Sequence, residues 1–243
     1  MNKKFALVMG ASGEIGLAIS TTLAEAGWSL YLHYANNEER ITELIFTLQE
    51  TYPEQEFIPV QADLLDPDSI ERMATSLYSV HSIVFAQGHS LYKSLEETTA
   101  EDIRKLFLVH VEHPMLLIAK LAPKLRKQPH SSIIFVGSIW GETGASYEVA
   151  YSAAKGAQHA FVKAYAKETA MQKTTVNVVA PGFIDTKMNA HIDEESRELI
   201  LEEIPAGEFG SPQDVANMIT FLVSDKASYI TGQIIRVNGG WYI

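Results

Sequence analysis

The sequence contains no cysteine, which excludes disulfides and thiolate metal sites and frees the fold from the redox state of its compartment. It also lacks a run of about 18 uninterrupted apolar residues, so no membrane span is expected. The apolar stretch near the start is short and breaks into a glycine-rich segment, so no export signal is expected. These absences favour a cytoplasmic location.

Positive charge is scarce, with 19 lysines and arginines against 30 aspartates and glutamates and a formal net charge of −11. Such a chain offers no positive field for a phosphate backbone, so nucleic acid is not an expected partner. Linkers, internal repeats and low-complexity tracts are absent as well. With 47% hydrophobic residues, the sequence predicts one packed domain over residues 1–243.

Short apolar runs alternate with longer amphipathic segments along the whole chain. This alternation predicts an α/β fold with a single doubly wound parallel sheet of about seven strands and helices on both faces. The predicted strands are residues 5–9, 28–34, 57–60, 83–86, 133–137, 176–180 and 234–237. Residues 183–210 are acidic and follow a Pro-Gly pair, which favours a helical flap over a ligand site.

A glycine-rich loop follows the first predicted strand and precedes the helical run 17–26. Glycines permit a tight turn there, and backbone N–H groups at a new helix attract a diphosphate, so the loop predicts a dinucleotide site. A plain turn between a strand and a helix also favours Gly and Ser, which remains the alternative. The residues expected to bind the cofactor here are Gly10, Ser12, Gly13, Ile15 and Gly16.

The ends of two predicted strands indicate which dinucleotide binds. Asp63 ends the third predicted strand, where it can accept a hydrogen bond from an adenine amino group or cap a helix. The end of the second strand has no acidic residue before Glu38, and Arg40 lies nearby. An acid there would bind the ribose of NAD, so its absence favours NADP (NADPH), unless these are ordinary polar loop residues.

Tyr151 and Lys155 lie four residues apart, on the same face of one predicted helix. A cation beside a phenol stabilises the phenolate, so Lys155 is expected to lower the pKa of Tyr151 and make it a general acid. Ser138 follows the fifth strand, where its hydroxyl can hold a substrate carbonyl oxygen. Singly, such residues usually decorate a helix or a turn, but together behind a glycine loop they indicate catalysis.

These motifs resemble the short-chain dehydrogenase/reductase superfamily over the entire chain, and most closely the bacterial 3-oxoacyl-acyl-carrier-protein reductases. The resemblance is carried by residues 10–16, Asp63, Ser138, Tyr151, Lys155, 177–186 and 229–240. It implies a homotetramer in which Tyr151 and Lys155 also contact the cofactor. It further implies nicotinamide contacts from Pro181, Gly182, Ile184 and Thr186.

Three positions depart from that family. Glu14 stands where the group has its second glycine. Of the family's Asn-Asn-Ala-Gly segment only the glycine is kept, and this residue, Gly88, is expected to contact the cofactor. His110 replaces an asparagine that holds a water near the lysine; a histidine there can relay protons or only fill space. His113 is close to His110, but no third ligand is obvious, so no metal is expected.

The substrate is expected to be a ketone, either free or carried on an acidic protein. One candidate is a 3-oxoacyl group on an acyl carrier protein. Residues 138–149 resemble a bacterial reductase that acts on a 5-aminopentanone modification of elongation factor P, which gives the second candidate. Lys124, Arg126, Lys127 and Lys173 offer a local basic set for docking, or they only complement helix dipoles.

A different class of protein, a non-catalytic NADP-binding regulator, is the remaining alternative. Glu14 and His110 motivate it, because both depart from the family pattern. The intact set of Ser138, Tyr151 and Lys155 opposes it, because a regulator has no need of a proton donor.

Overall fold

The computed structural model describes residues 3–66, 68–189 and 192–243. Within them, seven parallel strands form one sheet in the order β3-β2-β1-β4-β5-β6-β7. The strands are β1 (Phe5–Met9), β2 (Ser29–Tyr34), β3 (Phe57–Gln61), β4 (Ser82–Phe85), β5 (Ser131–Val136), β6 (Thr174–Pro181) and β7 (Ile234–Val237). The strand order reverses between β1 and β4, and ligands bind at such a switch point. The predicted doubly wound fold is confirmed.

Helices cover both faces of the sheet. They are α1 (Glu14–Glu25), α2 (Glu38–Thr51), α3 (Ser69–Ser76), α4 (Ala100–Phe107), α5 (His113–Leu125), α6 (Trp140–Thr143), α7 (Val149–Thr169), α8 (Glu194–Glu203) and α9 (Pro212–Val223). Leu7 belongs to the core shared with α3, α5 and α7, whereas Val8 belongs to the core shared with α1, α2 and α9. Because neighbouring residues of one strand enter opposite cores, strands such as β1 are buried throughout.

The predicted strand limits differ from the observed ones by a few residues, and buried hydroxyls explain part of the difference. Ser82 begins β4, and its hydroxyl is hydrogen-bonded to that of Ser132 in β5 at 2.8 Å. Thr174 and Thr175 are also buried, and they extend β6 at its start. Counting apolar residues misses these positions, because a hydroxyl that finds a partner can be buried at little cost.

Some helix ends follow the predicted signals. Ser211 and Asp214 form a capping box at the start of α9, and Pro212 is its first residue. Gly27, which follows α1, has a φ of 89°, a conformation that favours glycine. Asp68 is the residue before α3, and the predicted proline signal at Pro67 lies outside the described residues.

The described residues contain one helical segment, Ala100–Leu125, that is long and apolar enough to cross a membrane by length and composition. It comprises α4, a π-helical turn over Leu108–Glu112, and α5. Half of its most apolar window is buried within the domain, where Leu106, Leu117 and Leu121 are fully covered. These leucines belong to the core of the domain, whereas Ile103, Met115 and Leu116 on the same segment are exposed.

The segment 183–210 leaves the sheet and returns to its starting point. Ile184 forms an isolated bridge with Gly210, and the Gly210 N–H donates to the Phe183 carbonyl at 3.0 Å. Between these points lie the short turn Lys187–Asn189 and α8, while residues 190–191 fall outside the described residues. A role as a substrate flap, like the single-domain assignment, stays a prediction.

Candidate active site

A cavity of about 580 Å³ opens at the carboxyl ends of β1 to β4. Eight of the residues predicted to bind the cofactor line it: Gly10, Ser12, Gly13, Ile15, Gly16, Asp63, Gly88 and Thr186. The other five described members of that set, which do not line it, are Tyr151, Lys155, Pro181, Gly182 and Ile184. The cavity therefore brings the glycine loop together with Asp63, Gly88 and Thr186, and the binding of a cofactor by these residues stays a prediction.

The glycine loop needs glycine at two positions because other backbone comes too close. A Cβ on Gly10 would lie 2.6 Å from the Gln87 Cα, and Gly10 has a φ of 73°. A Cβ on Gly16 would lie 2.1 Å from the Gly10 carbonyl oxygen. Without those side chains, the loop after β1 can approach the backbone after β4, and the first turn of α1 can pack on that loop.

His33 fixes the glycine loop, and sequence reasoning missed it. Its Nδ1 accepts a hydrogen bond from the Gly10 N–H at 3.0 Å, while its Nε2 lies 3.0 Å from the Ala62 carbonyl and donates to it. Burial lowers the pKa of His33 to about 4, so the ring stays neutral and can accept at one nitrogen and donate at the other. The available signal was a histidine inside an otherwise apolar strand.

Glu14 and Arg40 line the cavity, and each forms a hydrogen bond with the backbone of another residue. The Glu14 carboxylate accepts a hydrogen bond of 2.7 Å from the backbone N–H of Lys187, across the cavity from the glycine loop. The Arg40 guanidinium donates to the Ser12 carbonyl at 3.0 Å. Asp63 lines the cavity and accepts from the Leu65 N–H at 2.8 Å in a local turn, whereas Asp68 is the residue before α3, so Asp63 does not cap that helix. Glu14 thus links the start of α1 to the backbone at Lys187.

Ser138, Tyr151 and Lys155 come together beside this cavity. The Lys155 ammonium donates to the Val136 carbonyl at 2.8 Å and lies 5.5 Å from the centroid of the Tyr151 ring. The Ser138 side chain interacts with Tyr151 and lowers its pKa in part, and its Oγ accepts a hydrogen bond from the Trp140 N–H at 3.2 Å. Lys155 and Ser138 are buried, and Tyr151 is partly buried. The end of β5 and the first turns of α7 therefore bring two hydroxyls and one amine into a single dry cluster.

The pKa of Tyr151 is raised, whereas its spacing to Lys155 predicts a lowered one. Burial first and the Glu148 charge second raise the pKa of Tyr151, and the Ser138 side chain only partly opposes them. Burial also lowers the pKa of Lys155 to about 7, so desolvation is the main cause of the shift at each residue.

His110 lies at the π-helical turn and packs against Tyr151, with ring centroids 5.7 Å apart and planes at 89°. Its Nε2 is 3.0 Å from the His89 carbonyl, and its Nδ1 has no hydrogen-bond partner in the described part of the chain. The Gln158 amide donates to the His110 backbone carbonyl at 2.6 Å. Burial first and Lys155 second lower the pKa of His110, so it is neutral here.

The basic set considered for docking lies on the wrong edge of the sheet. Residues 124–127 precede β5 and Lys173 precedes β6, whereas Ser138 follows the carboxyl end of β5. The Lys124 ammonium donates to the carbonyls of Ala74 and Leu77 at the end of α3. Lys124 therefore stabilises the end of α3, and all four cations lie near the amino edge of the sheet, away from the cleft.

Comparison with known proteins finds oxidoreductases among the relatives of this chain. A family model described as enoyl-(acyl carrier protein) reductase matches residues 10–242. The chain is 43% identical over 243 residues, all of both chains, to the uncharacterized oxidoreductase YmfI of Bacillus subtilis. It is 34% identical over 247 residues to the 3-oxoacyl-[acyl-carrier-protein] reductase FabG of Staphylococcus aureus, covering 99% of this chain and 98% of that one.

A solved structure of a ketoreductase has the same fold as this chain. The angucycline C-6 ketoreductase LanV with bound NADP superposes with a TM-score of 0.91 at 26% identity, over 98% of this chain and 95% of that chain. Fold and site thus define a dinucleotide-dependent oxidoreductase. The chain belongs to the short-chain dehydrogenase/reductase superfamily, as its motifs indicated, and the expectation of NADP agrees with the cofactor that this relative holds. Among the described residues, no group of three or more potential metal ligands converges.

Proposed function

We propose that the protein reduces a ketone to a secondary alcohol with NADPH. The observation that carries this proposal is the convergence of Ser138, Tyr151 and Lys155 beside a cavity lined by the glycine loop. NADPH, when bound, supplies the hydride that adds to the carbonyl carbon. The hydroxyls of Ser138 and Tyr151 donate hydrogen bonds to the carbonyl oxygen, which becomes an alkoxide as hydride arrives.

The raised pKa of Tyr151 suits this direction of reaction. A general acid must hold its proton until the alkoxide forms, and a buried phenol does so at neutral pH. Lys155, with a pKa lowered to about 7, exchanges protons readily near neutrality and can return one to the phenolate. Tyr151 therefore donates the proton to the alkoxide, and Lys155 supplies the proton that restores the Tyr151 hydroxyl.

The cofactor preference rests on the end of β2. No carboxylate stands there before Glu38, while Arg40 lines the cavity beside Ser12. A guanidinium attracts the additional phosphate of NADP, and an acid in its place would repel it. The bound NADP of the ketoreductase relative supports the same choice.

Two ketones are candidates for the natural substrate. The 34% identity to a 3-oxoacyl-[acyl-carrier-protein] reductase over nearly the whole chain supports a 3-oxoacyl thioester. The resemblance of residues 138–149 supports a 5-aminopentanone group on elongation factor P. A homotetramer and an acidic carrier protein stay predictions from the same resemblances, and a cytoplasmic location stays a prediction from composition.

A NADPH oxidation assay with an activated ketone tests the reaction. Tyr151→Phe is expected to lower kcat by at least about 100-fold, because the proton donor is lost. NADPH binding, followed by its fluorescence, should persist, and Tyr229→Phe serves as a matched control at a fully exposed tyrosine. Unchanged turnover in Tyr151→Phe would refute the mechanism, and NADPH binding without any turnover in the unmodified protein would favour the regulator.

The substrate is resolved by a direct comparison. Turnover is measured on an acetoacetyl-loaded acyl carrier protein and on elongation factor P carrying the 5-aminopentanone group. A kcat/KM higher by an order of magnitude on one of them identifies the substrate class. Activity on the small ketone alone would contradict both protein-borne candidates and leave the chemistry intact.

A further inference from the structure

The segment that follows β7 packs its aromatic residues against the loop that carries Ser138. The Trp241 ring meets the Trp140 ring edge-on, with centroids 5.2 Å apart and planes at 70°. The Tyr242 ring lies 5.7 Å from that of Trp140, with planes at 68°. Trp140 is the first residue of α6 and lies two positions after Ser138. Residues 238–242, the post-β7 segment, therefore contact the loop of the proton-transfer cluster.

Hydrogen bonds of Asn238 give the post-β7 segment a fixed turn. The Asn238 side chain accepts from the Gly240 N–H at 3.1 Å and donates to the Tyr242 carbonyl at 2.7 Å. The Trp241 N–H donates to the Asn238 backbone carbonyl at 3.1 Å. This turn fixes the backbone from which both aromatic side chains project.

Two polar contacts anchor the Trp241 ring and α6. The Trp241 indole N–H donates to the carboxylate of Glu203, the last residue of α8, at 3.0 Å. The Arg236 guanidinium in β7 donates to both carboxylate oxygens of Glu142 in α6, at 2.8 and 2.9 Å. A bidentate pair of this kind fixes orientation as well as distance. β7 and the post-β7 segment therefore hold α6 at two points, Glu142 and Trp140.

The position of α6 in turn bears on the Ser138 hydroxyl. The Trp140 N–H donates to the Ser138 Oγ at 3.2 Å, which occupies one acceptor position of that oxygen. The Ser138 side chain also lowers the pKa of Tyr151 in part, as a hydroxyl that donates towards a phenol oxygen does. A hydroxyl has a single proton, so its direction decides whether it stabilises a carbonyl oxygen held beside that phenol. A displaced Trp140 would leave this direction unfixed.

We propose that Trp241 is a positioning residue for ketone reduction, whose ring, packed on Trp140, keeps the Ser138 hydroxyl directed at the carbonyl oxygen. The inference rests on the proposed function, because only the reduction gives the hydroxyl this task. Trp241 acts through Trp140 and transfers no proton itself. Its bond to Glu203 makes the end of α8 part of the same support.

Hydrogen exchange, followed by mass spectrometry of peptides over residues 138–144, tests the contact without any turnover. Trp241→Ala removes the ring that packs on Trp140, so the Trp140 N–H should exchange at least about threefold faster. Trp241→Phe keeps an aromatic ring and should restore most of the protection, although it loses the bond to Glu203. Tyr229→Ala, at a fully exposed tyrosine, is the control and should change nothing. Unchanged exchange in Trp241→Ala would overturn the proposal.

NADPH oxidation with an activated ketone measures the effect on the reaction. Trp241→Ala should lower kcat about tenfold, because the Ser138 donor is no longer aimed at the carbonyl oxygen. The Kd for NADPH should change less than about twofold, because the side-chain contacts of Trp241 are to α6, α8 and Tyr242. Trp241→Phe should recover most of kcat, and thermal midpoints establish that each variant folds.

A double-mutant cycle shows whether Trp241 acts through Ser138. In a Ser138→Ala background, Trp241→Ala should lower kcat less than about twofold, because the hydroxyl that it positions is already gone. The same fold-loss in both backgrounds would mean a general structural role and would contradict the proposal. If the unmodified protein reduced no ketone, the proposed function would fail, and the exchange measurement would still decide whether Trp241 holds the loop of Ser138.

Discussion

Gly88 and His110 show how one missing side chain shapes the site. A Cβ on Gly88 would lie 2.4 Å from Cε1 of the His110 ring, which is buried and packed against Tyr151. Gly88→Ala should therefore cost about 1–3 kcal/mol of stability through overpacking and lower kcat by displacing the ring. Urea unfolding and the NADPH assay measure both effects.

The double variant decides whether the histidine is the cause. Adding His110→Ala to Gly88→Ala removes the ring that the new methyl group meets, so the two destabilisations should be less than additive. Fully additive losses would show that Gly88 is required for another reason.

Arg40 provides the test of cofactor choice at the same scale. Its guanidinium lies beside the glycine loop through the Ser12 carbonyl and lines the cavity. Arg40→Ala should raise KM for NADPH by about tenfold or more while changing KM for NADH little, because only NADPH carries the additional phosphate. Arg197→Ala is a control, since Arg197 pairs with Asp185 rather than facing the loop. Equal effects on both cofactors would remove Arg40 from the phosphate site.

Between elements, the link from α1 to the turn Lys187–Asn189 depends on Glu14. Glu14→Ala removes the acceptor of the Lys187 N–H, so the turn should open more often and trypsin should cut after Lys187 several-fold faster. The thermal midpoint should change little, because the bond is exposed and contributes little to overall stability. Limited proteolysis followed by mass spectrometry measures the cut.

Glu14→Gln separates the bond from the charge. Its amide oxygen keeps the acceptor, so cleavage after Lys187 should stay near that of the unmodified protein. Equal cleavage in Glu14→Ala and the unmodified protein would show that the turn does not depend on this bond.

Across the whole molecule, buried histidines make stability depend on pH. Burial lowers the pKa of His33 and of His159 to about 4, whereas the unfolded chain titrates near 6.5. Between these values the unfolded state binds more protons, so the free energy of unfolding should fall as the pH drops from 6.5 towards 4. At pH 5 the loss is about 2 kcal/mol for each residue.

Urea unfolding at pH 7 and at pH 5 measures this loss. His159→Leu should reduce this loss of stability by about 2 kcal/mol, because leucine does not titrate and so gives the unfolded chain no extra proton to bind. The His159 ring nitrogens have no hydrogen-bond partner within the described residues, so the variant breaks no such bond there. The carboxylates act at lower pH, as for Asp102, whose pKa is lowered to about 2. A stability independent of pH over this range would contradict the buried neutral state.

Some residues of the site were predictable because their spacing is local. Tyr151 and Lys155 share a helix, and residues 10–16 form one turn, so periodicity and loop chemistry place them without knowledge of the rest of the chain. His33 was missed because its partners, Gly10 and Ala62, are distant in sequence and meet only when three strands pair. The stacking of Tyr92 on Tyr147 joins two loops and was equally hidden.

The sequence by itself determined the doubly wound sheet and the glycine-rich turn after β1, because hydrophobic period and glycine geometry act over short distances. Only the tertiary structure decided the protonation of the site. The pKa of Tyr151 is raised and that of Lys155 lowered because distant elements exclude water from both groups. Burial is a property of the packed whole, and no local pattern contains it.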